Sequence, residues 1–381
     1  MKRLTAVLLA CSMFICAAIS CSGTKDSSLS SEKTSEATAA AETGSEQTAE
    51  TSAEITTEKA AESAVEYYDG LIFPDTMTQK EKENSSFREF TLTHFDKAYA
   101  IGQNLTYDTS SVNDDVKEME DNIREIKVYD EQLDKNFLVN VTLPPDYDEN
   151  KEYPVFFITD AQFWFKCIPG MWGLIKDGKA APVIFVSLGN DYDSDGTHDL
   201  PRYGQFVLHR DEMLDFINND LMQLISLNYR TDSSKSVFFG HSLGGLFADY
   251  ALCNSDKFEE QPFANYIIAS PALWTWYYTG PYNFDNSSIT DQDACNREFD
   301  YFENNETMDK NVFICAGGAE KYYFDEPDLR TIPEDSQSLY ERLKSHGVDA
   351  EFKLYDGKEH MDYVEDMLNE YIQDNFPTED Q

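Results

Sequence analysis

Gly240-His241-Ser242-Leu243-Gly244 separates two segments of opposite character. Before it, Ser236-Val237-Phe238-Phe239 has the β-branched and aromatic content of a buried strand. After it, Leu246-Phe247-Ala248-Asp249-Tyr250-Ala251-Leu252 reads as a helix. A strand that passes into a helix this quickly turns so sharply that a Cβ two residues either side of the serine would strike a neighbouring element. The two glycines avoid that collision. The turn pushes the Ser242 hydroxyl clear of the sheet, above the N-terminus of the next helix, whose amides and dipole favour developing negative charge. Alone, a G-x-S-x-G pattern arises by chance in roughly one chain in ten of this length. The flanking strand and helix, and a further glycine at Gly245, make Ser242 a candidate nucleophile.

The pattern around this corner is regular from Asn122 onward. Ile123 to Val128 and Phe137 to Leu143 alternate apolar and polar residues about Glu131-Gln132-Leu133-Asp134, which predicts an antiparallel hairpin. Short apolar runs of buried-strand type follow at Val155 to Ile158, Val183 to Val186, Val237 to Phe239, Tyr266 to Ala269 and Val312 to Cys315. A more alternating run at Glu351 to Tyr355 suits a position near an edge. Helical stretches lie between them at Arg210 to Leu227, Leu246 to Cys253, Ser336 to His346 and Met361 to Phe376. Strands that alternate with helices imply a mostly parallel central sheet covered by helices on both faces. With an antiparallel hairpin at the N-terminal edge and the serine corner mid-chain, this is the plan of an α/β-hydrolase fold over 121–376.

The chain ahead of that domain reads differently. Residues 1–21 form a targeting segment: Lys2 and Arg3, an apolar stretch from Leu4 to Ile19, then Ser20-Cys21. Ala18-Ile19-Ser20-Cys21 resembles the bacterial lipoprotein signal, which makes Cys21 the expected lipidation site. Ordinary secretion with cleavage near Ser20 is the alternative. Residues 22–64 are almost wholly Ser, Thr, Ala, Glu and Lys, a composition that cannot offset ordering entropy. They are expected to be a disordered tether, reaching roughly 35–40 Å as a coil. Residues 65–120 show neither clean alternation nor long helical periodicity and are expected to be an extension packed on the main domain. Thirty Lys and Arg against 71 Asp and Glu give a net charge of -41. Such a surface repels phosphate backbones, so no nucleic-acid partner is expected. Cys167, Cys253, Cys295 and Cys315 have no metal-ligand spacing, so no metal site and no cofactor are expected.

The α/β-hydrolase chain order is Ser, then Asp or Glu, then His. His360 follows the last strand through Asp356-Gly357-Lys358-Glu359, just ahead of the final helix, and is the candidate base. His241 adjoins the serine and reads as structural. Ala316-Gly317-Gly318-Ala319-Glu320 leaves the preceding strand, which makes Glu320 the first candidate acid, with Asp325 and Asp328 as alternatives further along the loop. The acid fixes the imidazole tautomer and stabilises the imidazolium. The oxyanion hole needs two amides: that of Leu243, and one from the loop after Val155 to Ile158, at Ala161 or Gln162.

Several further segments carry a resemblance: Leu143-Pro144-Pro145-Asp146-Tyr147, Tyr153-Pro154-Val155, Asp160-Ala161-Gln162, Tyr229-Arg230-Thr231, Gly240 to Gly245, Ala269-Ser270-Pro271-Ala272-Leu273-Trp274, and Tyr355-Asp356-Gly357 leading to His360. From about Asn122 to about Asn375 the chain resembles the esterase D and enterochelin-esterase type of esterase family. Ala161 departs from the glycine many members carry there. The resemblance implies serine hydrolysis of carboxylic esters, such as siderophore lactones or acetyl and feruloyl esters on polysaccharide. Trp274 and Trp276 follow the strand after the serine corner and are candidates to wall the substrate pocket, or simply to pack their loop. The expectation is an extracellular serine esterase anchored to the membrane at Cys21. A non-catalytic binding lipoprotein and an acyltransferase with the same residues are the alternatives.

Overall fold

The computed structural model describes residues 67–68, 70–92, 115–191, 201–259, 261–273, 297–320 and 331–378, all within one compact unit. Tyr67–Tyr68 (β1) and Leu71–Ile72 (β2) form a small antiparallel pair. Helix α1 (Gln79–Asn84) then leads into β3 (Ser86–Arg88). The hairpin is β4 (Ile123–Asp130) and β5 (Lys135–Thr142), followed by β6 (Val155–Ile158), α2 (Ala161–Trp164), α3 (Ile168–Lys176) and β7 (Ile184–Asn190). Next come α4 (Arg210–Asp215), a π-helical turn (Phe216–Leu221) and α5 (Met222–Asn228), then β8 (Val237–His241), α6 (Leu243–Cys253) and β9 (Asn265–Ala269). The chain ends with α7 (Arg297–Phe302), β10 (Asn311–Gly317), α8 (Ile332–Ser345), β11 (Asp349–Tyr355) and α9 (Val364–Asn375).

Nine strands form one sheet in the order β11-β10-β9-β8-β6-β7-β5-β4-β3. The run from β11 to β7 is parallel, and β5, β4 and β3 continue it antiparallel. The expected hairpin is thus one strand in from the edge: Ser86–Arg88, within the segment whose sequence carries no clear period, pairs along Glu125–Lys127 as the outermost strand. Three residues are too few to show alternation, which hides β3 in the sequence.

Period-2 alternation divides the core between the two faces. Phe157, Phe238, Ile268 and Ile314 point into one cluster with Leu246, Phe247, Leu224, Leu339 and Leu343 from α6, α5 and α8. Phe156, Phe239, Ile267 and Cys315 point into the other with Ile168, Met171, Met367, Leu368 and Ile372 from α3 and α9. A parallel sheet covered on both faces has only its ends free for ligands.

Candidate active site

The expected residues that are described gather at the C-terminal edge of the parallel strands, on the loops that leave β6, β8, β10 and β11. Ser242 follows β8 with φ 60° and ψ -116°. Its amide donates to the Ala269 carbonyl at 3.0 Å, and its own carbonyl accepts from Leu246 and Ala272 at 2.9 and 3.0 Å. These bonds hold a backbone that a non-glycine residue rarely adopts. A Cβ on Gly240 would lie 1.9 Å from the Gly244 carbonyl oxygen, and one on Gly244 would lie 2.6 Å from Thr159 Oγ1. The glycines therefore do what the sequence required of them, and they also press the start of α6 against the loop after β6.

That contact brings two helix N-termini together. Leu243 is the first residue of α6 and Ala161 the first of α2. Amides at such positions have no partner within their own helix. The carbonyl of Asp160 accepts from Phe163 and Trp164 at 2.8 and 3.2 Å, which leaves Ala161 and Gln162 as the leading amides of the turn. Asp160 is itself left-handed (φ 57°, ψ 51°). Its buried carboxylate accepts from Arg202 Nε at 2.5 Å and Nη2 at 3.0 Å. Burial pushes the Asp160 carboxyl up from the usual carboxylate range while Arg202 opposes the shift. Arg202 clamps this loop, and its guanidinium lies 4.9 Å over Phe163.

His360 Nδ1 lies 2.7 Å from Glu320 Oε2. The other carboxylate oxygen, Oε1, accepts from the Gly317 amide at 2.6 Å and the Ser270 hydroxyl at 2.5 Å. The Tyr363 hydroxyl lies 2.5 Å from that same Ser270 oxygen. Ser270 sits directly after β9 at φ 41°, and Tyr363 is fully buried just ahead of α9. A Cβ on Gly317 would lie 2.5 Å from the Lys358 carbonyl, so a glycine is needed for the β10 turn to reach the His360 loop. On the other side, His241 Nε2 donates to the His360 carbonyl at 2.8 Å, and the two rings are 4.5 Å apart. Burial, with the His360 ring as the second cause, pushes the His241 imidazole well below the usual histidine range. Trp164 meets its ring edge-on at 4.8 Å. His241 is therefore a neutral prop under the His360 loop.

The structure thus gathers Ser242, Leu243, Ala161, Gln162, Glu320 and His360 at one sheet edge. Sequence reasoning missed the supports Ser270, Tyr363 and the Asp160–Arg202 pair. The short polar loops after β6 and β9 were the available signal. Arg210 stacks 4.8 Å from the Tyr250 ring on α6. Trp274, Trp276, Asp325, Asp328 and Cys21 lie outside the described residues. Cys167, Cys253 and Cys315 are buried.

A model of the Esterase family, described as "Putative esterase", matches residues 131–378. Ferri-bacillibactin esterase BesA of Bacillus subtilis (strain 168) is 27% identical over 154 residues, 38% of this chain and 44% of that protein. The match thus spans less than half of that curated relative. Among solved structures, the BES protein from Bacillus cereus superposes with a TM-score of 0.51 at 22% identity, over 67% of this chain and 95% of its own. Siderophore hydrolase EstA from Aspergillus nidulans gives 0.51 at 18% identity, over 66% of this chain and 93% of its own. Both likenesses place the fold among α/β-hydrolase structures.

Proposed function

The chain belongs to the Esterase family of carboxylic ester hydrolases, and we propose that it hydrolyses esters through an acyl-enzyme on Ser242. The contact between His360 Nδ1 and Glu320, beside the strained Ser242 corner, carries this reading. Nδ1–H donates to Glu320, which leaves Nε2 to take the Ser242 proton as Oγ adds to the ester carbonyl. The amide of Leu243 and that of Ala161 or Gln162 receive the oxyanion. Collapse of the tetrahedral adduct breaks the ester C–O bond, and the proton held by His360 passes to the departing alkoxide. Water then adds to the acyl-enzyme with His360 again as base, which releases the acid and restores Ser242.

The substrate class proposed is a siderophore lactone, supported by the ferri-bacillibactin esterase relative; aromatic or acetyl esters on polysaccharide are the competing class. A panel of a catecholate trilactone, a feruloyl ester, acetylated xylan and p-nitrophenyl acetate, run with wild type and Ser242→Ala, tests both levels. Wild type should cleave the trilactone most efficiently, and Ser242→Ala should lose several powers of ten on every ester while melting at the wild-type temperature. Turnover that survives in clean Ser242→Ala protein overturns the serine mechanism. Feruloyl or acetyl turnover without trilactone cleavage moves the substrate class and leaves the mechanism intact.

The location proposed is the outer face of the cell membrane, with lipid on Cys21 and residues 22–64 as tether. Cys21→Ala should shift the protein from the membrane fraction to the medium or to an uncleaved precursor. A wild-type protein already soluble outside the cell, with no lipid by mass spectrometry, refutes the anchor.

A further inference from the structure

Outside the serine site, three acidic side chains from three separate parts of the chain meet in a buried cluster. Glu81 is on α1, Asp130 ends β4, and Asp220 lies in the π-helical turn between α4 and α5. All three are buried, and one carboxylate oxygen of each lies within 4.8 Å of those of the other two. Glu81 is anchored by the backbone: Oε1 accepts from the Glu131 amide at 2.8 Å and Oε2 from the Thr78 amide at 2.7 Å. Asp130 Oδ1 accepts from the Leu133 amide at 2.6 Å. Asp220 is only 7% exposed, and its enclosed Oδ1 accepts no hydrogen bond.

Converging buried carboxylates need a counter-charge. The charged groups that act on Asp130 are Glu81, Asp220 and Asp215, all carboxylates, and those on Asp220 are Glu81 and Asp215. Asp215 is held by Gln132 and Asn219 amides. Lys80 lies nearby but bonds Glu131 at the surface.

We propose that Glu81, Asp130 and Asp220 form a binding site for one Ca2+ ion, which ties α1 of the N-terminal extension to the hairpin and the helix beneath it. Hard carboxylate oxygens suit a hard cation, and Ca2+ at about 2.3–2.6 Å from each ligand spans oxygens up to roughly 5 Å apart. Mg2+ at about 2.0–2.1 Å from each ligand would need the oxygens closer together, within roughly 4.2 Å of one another. The orphaned Asp220 Oδ1 gains the partner that a buried polar atom requires. The site makes no use of Ser242 and stands apart from the proposed esterase chemistry.

Equilibrium dialysis of the full-length protein against 45Ca2+, with thermal melts in EDTA, CaCl2 and MgCl2 at matched ionic strength, tests the proposal. Wild type should bind one equivalent with a dissociation constant on the order of 10⁻⁴ M. Saturating Ca2+ should raise Tm on the order of 5 °C, with a smaller rise in Mg2+. Asp220→Asn and Glu81→Gln should each lower Ca2+ affinity at least about tenfold, and Asp220→Asn in EDTA should melt no lower than wild type because a repelling charge is gone. No saturable equivalent on wild type up to about 10⁻³ M Ca2+ overturns the site. So does Ca2+ uptake unchanged in both variants, which would mark diffuse binding by an acidic surface.

Discussion

Ser242 and Glu320 face opposite demands at the scale of single residues. Ser242 needs a conformation, φ 60° and ψ -116°, imposed by the loops that bond its amide and carbonyl. Its side chain is not needed to hold that shape, so truncation to alanine should spare stability. Glu320 needs a direction. Oε2 meets His360 only while Oε1 is held by the Gly317 amide and the Ser270 hydroxyl, with Tyr363 behind. Glu320→Gln should lower kcat on the order of a hundredfold or more with KM little changed, since the group acts on the transition state. Ser270→Ala removes one of two donors to Oε1 and, as a positioning residue, should cost on the order of tenfold in kcat, again with KM held. Asp325→Asn and Asp328→Asn should remain close to wild type. A side-by-side kinetic comparison in which Asp328→Asn is the more damaging would transfer the acid's role to Asp328.

Elements differ in how tightly they constrain their glycines. In the β8–α6 corner a Cβ on Gly240 would lie 1.9 Å from the Gly244 carbonyl oxygen, and its nearest neighbours are all backbone of Gly244 and Gly245, with no flexible side chain to give way. Gly240→Ala should destabilise by on the order of 4 kcal/mol or more, or leave no soluble protein. Gly173 lies within α3, where an added Cβ meets nothing within 4 Å. Gly173→Ala should stabilise by about 0.5–1 kcal/mol through the lower entropy of the unfolded chain. Urea titration of the two variants checks the contrast, and equal effects would show that the corner tolerates a side chain. The loop after β6 follows the same logic through charge: the left-handed Asp160 persists because Arg202 bonds both of its buried carboxylate oxygens.

The whole molecule carries 71 acidic residues against 30 basic ones, yet one buried histidine gives its stability a distinct acid limb. His241 stays neutral in the folded state because burial depresses its pKa. The unfolded chain, with a pKa near 6.5, takes up that proton first. The stability from His241 is therefore fully present above about pH 6.5 and is lost as pH falls toward the depressed folded value, by up to about 1.4 kcal/mol per pH unit. His241→Gln keeps a donor for the His360 carbonyl but cannot titrate. Urea unfolding at pH 5, 6, 7 and 8 should show a shallower acid limb for the variant than for wild type. Parallel curves would assign the acid sensitivity elsewhere.

Short-range physics made much of this legible in the sequence. The strand–turn–helix corner at Ser242 is a steric statement about five adjacent residues. The alternating and apolar runs placed the hairpin, the parallel strands and the helices at α4–α5, α6, α8 and α9, but not α3 (Ile168–Lys176), which covers one face of the sheet between β6 and β7. Chain order then pointed to Glu320 and His360 on turns at the ends of their strands. What tertiary structure alone decided is side-chain convergence between distant segments: Arg202 on Asp160, Ser270 and Tyr363 behind Glu320, and Glu81 with Asp130 and Asp220. It also set Ser86–Arg88 as the sheet's outer strand, a segment too short to show a period. Local pattern reports which way a residue faces within its own element. Which partner it meets depends on sheet register and on how helices cross the sheet, and both are fixed only when the two faces of the core pack together.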